Sequence, residues 1–80
     1  MSEFSSKRSL HNINPAKLLS SKWTAVHPVN KEKHFLVTRI IRNDENIIIR
    51  CIVEAVMTRK EYELDWRALK NKESWLTGWL

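Results

Sequence analysis

Between His34 and Met57 the chain reads HFLVTRIIRNDENIIIRCIVEAVM, two runs dense in Ile, Val and Phe split by Asn43-Asp44-Glu45-Asn46. β-Branched residues suit a pleated, half-buried surface, and a short Asn/Asp cluster supplies turn chemistry, so this stretch predicts a β-hairpin. It carries most of the aliphatic mass, and whatever core forms must be built on it. The sequence defines what kind of object this is, and it does not state a reaction.

The hairpin register stays open at this level. A two- or four-residue loop sets Leu36 beside Val53 and Ile40 beside Ile49, but places Arg39 opposite Arg50. A three-residue loop, with Asn46 in the left-handed region, pairs Val37 with Val53 and Ile41 with Ile49, and turns Arg39 onto the apolar face. Asn tolerates positive φ, and like charges opposite one another cost stability, so neither register dominates.

Around the hairpin the chain divides simply. Residues 1–14 are polar with no apolar period and are expected to be a disordered tail; residues 15–80 make one small domain. Pro15 can open a helical turn through Ser20, with Leu18 and Leu19 leaning onto the core. Lys22 to His27 reads as a strand ended by Pro28, and Val29 to Lys33 as a solvated connection. Thr58-Arg59-Lys60 turns the chain into Glu61-Tyr62-Glu63-Leu64-Asp65-Trp66, which alternates strictly. Asp65 can cap a turn through Leu69 or Lys70, and Asn71 or Ser74 can start another. The expected fold is mainly β: a small curved antiparallel four-stranded meander or SH3-like barrel, with short helical turns at the C-terminus.

The motifs Lys22-Trp23-Thr24-Ala25-Val26, Glu32 to Val37, Tyr62 to Arg67 and Trp75-Leu76-Thr77-Gly78-Trp79 resemble a family of small tryptophan-rich proteins of uncharacterised function, found in cyanobacteria and some proteobacteria. The resemblance covers residues 17 to 79. It implies a self-contained bacterial protein and brings no reaction, ligand or catalytic residue.

Four tryptophans in 80 residues is the main compositional anomaly. At ~25 cal/mol per Å² over ~200 Å², one buried ring contributes about 5 kcal/mol of gross burial, comparable to the net stability of such a domain. Trp66, in phase with Tyr62 and Leu64, reads as core, and so does Trp23. Trp75 and Trp79, four apart, share a face on a helical turn and form either a lid, which is favoured, or an exposed platform.

Charge supplies the functional expectation. The net charge is +5, unevenly placed: within residues 22–42, Lys22, Lys31, Lys33, Arg39 and Arg42 stand against Glu32 alone. Aromatic residues interleaved with cations can stack bases and track a phosphate backbone. The leading reading is therefore a non-enzymatic module that binds RNA or single-stranded DNA through Lys22, Lys31, Lys33, Phe35, Arg39, Arg42, Arg50, Trp75 and Trp79. The alternative is a protein-interaction or regulatory adaptor with an exposed aromatic surface, monomeric or weakly dimeric. No cofactor and no metal is expected. His27, His34 and Cys51 match no zinc spacing, and Cys51 reads as a small buried residue. No apolar leader and no membrane-length run is present, so the expectation is a soluble cytoplasmic protein.

Overall fold

The computed structural model describes residues 13–80; the expected tail lies almost wholly outside them. Five antiparallel strands form one open sheet in the order β4-β3-β2-β1-β5, with β1 Lys22–Val29, β2 Glu32–Arg42, β3 Ile48–Ala55, β4 Glu61–Asp65 and β5 Trp75–Thr77. The first four make the expected meander. The fifth is an addition: the C-terminal segment is extended where a helical turn was expected, because it pairs with β1, Trp23 opposite Thr77 and Ala25 opposite Trp75. β4 and β5 are the two edges, so the sheet does not close into a barrel.

The β2–β3 hairpin resolves the register question by bending the ladder. Val37 pairs with Val53, as the three-residue loop requires, and Asn46 has φ +66°. Asn43 holds the loop, its Oδ1 accepting from the amides of Glu45 and Ile47 at 2.9 and 3.0 Å. Between Val37 and Arg39 the register then slips by one, and it slips back between Ile41 and Arg42. A bulge inserts one extra residue and turns two successive side chains to one side. Arg39 therefore stands opposite Ile52, Ile40 opposite Cys51 and Ile41 opposite Arg50. Both drawbacks of the straight registers vanish: Arg39 neither faces Arg50 nor enters the core.

Strand alternation leaves one face apolar. Trp23, Phe35, Val37, Ile48, Cys51, Val53 and Ala55 form the buried cluster, joined by Leu18 and Leu69. We call this the inner face. Leu18 follows a 3-10 turn at Pro15–Lys17 that Asn14 caps; Leu19 is half exposed, so only one of the two leucines reaches the core. Leu69 sits in a second 3-10 turn, Trp66–Lys70, where the Asp65 side chain accepts from the Arg67 amide, the expected cap. Asn71 starts one further hydrogen-bonded turn, its Oδ1 accepting from the Glu73 amide and its carbonyl from the Ser74 and Trp75 amides, and the chain then bends into β5 without forming a helix.

Pro28 does not end β1. It lies where the ladder to β2 is interrupted, between Thr24 and Val29, so its missing N–H costs no bond there. The expected solvated connection is instead a tight turn at Asn30-Lys31, both with positive φ (+55° and +63°), which returns Val29 against Glu32.

A candidate nucleic-acid interface on the outer face

The C-terminus folds over the face opposite the core. Gly78, at φ +80°, swings the chain across Thr24. The buried Thr24 hydroxyl donates to the Gly78 carbonyl at 2.6 Å and accepts from the Leu80 amide at 3.1 Å. This carries Trp79 away from Trp75. Trp75 packs its ring edge-on to Phe35 on the inner face, centroids 5.1 Å apart. Trp79 lies on the outer face, its indole N–H bonded to the Phe35 carbonyl at 2.9 Å. The shared face expected for these two residues is thus corrected, because an extended strand and a left-handed glycine stand in place of the helical turn.

Trp79 is 42% exposed and sits between Lys22 and His34. The Lys22 ammonium lies 4.8 Å from its ring centroid, and the His34 ring 6.1 Å away. His34 Nε2 lies 2.9 Å from the Leu80 carbonyl oxygen. On its other side His34 borders a shallow concavity of about 560 Å³ lined also by Lys31, Lys33, Val56, Met57 and Arg59. Arg59, at φ +65°, is held there by the hydrogen bond its backbone N–H donates to the Ala55 carbonyl at 2.8 Å and by a 3.5 Å ion pair to Glu54.

The candidate residues divide accordingly. Lys22, Lys31, Lys33 and Trp79 come together around His34. Arg50 lies on the outer face but is paired with Glu63 at 3.4 Å. Arg39 is exposed beside the bulge, and Arg42 lies at the hairpin tip, donating to the Asn46 carbonyl. Phe35 is 6% exposed and its ring belongs to the inner-face core, so it adds no stacking surface to this outer-face group; that part of the expectation is corrected. Trp75 faces the other side of the sheet. Sequence reasoning missed His34 and Arg59 as members of this group; a lone His in a strand and a basic residue in a turn give no signal of convergence.

Trp23 is buried as expected, its indole N–H bonded to Ser21 Oγ at 2.8 Å. Trp66 is partly buried against the core, donates to the Ile48 carbonyl at 3.0 Å and carries Lys70 over its ring. Cys51 is fully buried, and burial, with the Asp65 charge second, pushes its thiol up to about 11. It stays protonated at neutral pH, which suits a core residue and not a nucleophile. Among the described residues no three His, Cys, Asp or Glu side chains gather as a metal site, and no helix is long and apolar enough to cross a membrane.

The model of one family, described as Tryptophan-rich protein (DUF2389), matches residues 21–80. The chain belongs to this tryptophan-rich family, whose function is unknown. The chain matches no curated protein and no solved structure. The matched span takes in all five strands and all four tryptophans, so the family pattern and the sheet coincide.

Proposed function

We propose that this tryptophan-rich protein is a non-enzymatic module that binds single-stranded nucleic acid, RNA or single-stranded DNA, on its outer face. The observation that carries the reading is the half-exposed Trp79 ring set between Lys22 and His34, beside the concavity bearing Lys31, Lys33 and Arg59. An aromatic platform flanked by cations is the combination that sequence-tolerant single-strand binding needs: the ring stacks a base, the cations follow the phosphates. The acidic outer side of β4, with Glu61, Glu63 and Asp65, sets the limit of the track, because phosphates avoid it.

The test is an amide chemical-shift titration with a short mixed-sequence RNA at low and raised salt. Shifts are expected at Lys22, Lys31, Lys33, His34, Arg59 and the Trp79 indole. With four cations engaged and a slope of about −0.7 per phosphate, affinity falls roughly 50-fold for a fourfold rise in salt. Absence of shifts at low salt defeats the reading. Shifts at Val56, Met57 and Trp79 from a bacterial protein ligand, insensitive to salt, would support the adaptor function in its place.

A further inference from the structure

A second concavity lies on the inner face, on the other side of the sheet from the cationic track. It is an open groove of about 420 Å³ whose walls include Pro28, Phe35, Val53, Tyr62, Leu64 and Trp75. Three of these are aromatic, and they are mutually arranged: Phe35 meets Trp75 edge-on at 5.1 Å and Tyr62 at 6.3 Å. Glu32 also lines the groove.

Glu32 is the anomaly of the interior. Its residue is only 3% exposed, the one buried acid among the described residues. Its carboxylate accepts from the Thr58 hydroxyl and, at 2.6 Å, from the Tyr62 hydroxyl. Those two bonds, Thr58 first, hold its pKa below the ordinary carboxylate range, so the group is charged at neutral pH. Both donors are neutral. Among the described residues no Lys, Arg or His nitrogen lies within 4.0 Å of it, the ion pairs being Arg50–Glu63, Arg59–Glu54 and Arg67–Asp65; Lys60 acts only through its longer-range field.

A carboxylate offers about four lone-pair directions, and two are used. A buried charge is normally paired with a cation, and among the described residues none lies within 4.0 Å of this one, Lys60 contributing only its field. The surroundings fit the missing charge. Aromatic faces attract a desolvated organic cation through their quadrupoles, and apolar walls accept its carbon body. An anion is repelled from such a groove, and a neutral apolar molecule makes no use of the acid.

We propose that the inner-face groove is a binding site for an organic ammonium ion, its apolar body against Phe35, Leu64 and Trp75 and its charged head directed to the Glu32 carboxylate. The site is independent of the nucleic-acid reading, since it lies on the opposite face and shares no residue with it.

The experiment titrates the isotope-labelled full chain at pH 7 with 2-phenylethylammonium chloride, in parallel with the neutral 2-phenylethanol and the anionic 3-phenylpropionate. Saturable shifts are expected at Phe35, Tyr62, Leu64 and the Trp75 indole with the ammonium. Its affinity should exceed that of the alcohol by about tenfold, the scale of one charge-assisted hydrogen bond. Glu32→Gln should bring the two ligands level while leaving the RNA-dependent shifts on the outer face unchanged. Equal affinity for ammonium and alcohol in the unsubstituted protein, shifts mapping elsewhere, or no shifts at millimolar ligand each overturn the proposal. Because the three-ligand comparison needs no variant, it decides the matter even where Glu32→Gln fails to fold.

Discussion

Trp75 and Trp79 are separated by three residues and by the full thickness of the sheet. Trp75 packs against Phe35 beside the core, whereas Trp79 lies across Thr24 with nearly half its surface in water. Both indole groups are tied into the molecule, but on one face the apolar area is withdrawn from solvent and on the other it is offered to solvent among cations. A tryptophan-rich composition therefore does not have one meaning in this fold. The inner rings hold the sheet together, and the outer ring is displayed by it.

Removing side chains from each side tests that contrast. The largest effect is expected for Trp23→Ala, which empties a nearly fully buried position; unfolding free energy should fall by about 3–5 kcal/mol, read from urea melts followed by circular dichroism. Trp75→Ala, on the same face but only partly buried, should cost about 2–3 kcal/mol. Trp79→Ala, with over half the ring still covered, should cost about 2 kcal/mol and yet abolish the RNA-dependent shifts. Equal losses for Trp75 and Trp79 would erase the distinction between the faces.

Acid should weaken the fold through two carboxylates, Glu32 on the inner face and Asp65 on the outer. Glu32 has a depressed folded-state pKa, so its contribution is present above the unfolded carboxylate value of about 4.3 and disappears as pH falls through the lower folded value. Asp65, lowered chiefly by the Arg67 amide, adds to the same window. The melting temperature should therefore drop between pH 5 and lower values by less in Glu32→Gln than in the unsubstituted protein; parallel curves would show that Glu32 contributes nothing.

Smaller effects complete the series. Gly78→Ala meets no atom within 4 Å of the added Cβ, so its cost is that of holding Ala at φ +80°, about 1 kcal/mol. Arg50→Ala breaks an ion pair whose side chains are both 51% exposed, and about 0.5 kcal/mol or less should be lost. A larger loss at Arg50 would mean that the outer face is structural after all.

What the sequence made legible follows the range of the interactions involved. The alternation over Glu61–Asp65 and the Asp65 cap depend on neighbours and stand as read, although Tyr62 remains 38% exposed and Trp66 opens the 3-10 turn in place of extending the strand. The two bulges leave a trace, apolar residues three apart at Val37/Ile40 and Ile48/Cys51, which no straight ladder can set on one face. β5 was invisible because Trp75–Thr77 is extended only through its pairing with β1. Glu32 lies between two lysines and carries every mark of a solvated residue; only the Asn30-Lys31 turn and the distant Thr58 and Tyr62 hydroxyls draw it inside. Of the candidate interface, the cations were legible and their grouping was not, since His34 and Arg59 join it through the fold.

The placing of β5 also orders the molecule in time. β1 to β3 each pair with the next strand in the chain, whereas the bond from Thr24 to Gly78 joins residues 54 positions apart. Short loops close at small entropic cost and long ones at greater cost, so the meander is the natural nucleus and β5 the last piece to dock. The same asymmetry holds in the native state: β5 can peel from the edge while the β2–β3 ladder stays paired, losing the contacts of Trp75 and Trp79 with Phe35. Amide hydrogen exchange should then be faster at Val26 and Gly78, whose amides bond across the β1–β5 seam, than at Val37 or Val53 in the centre of the sheet. The strand that displays Trp79 is thus the one the protein releases first, and the life of the outer platform is set by how long that seam stays shut.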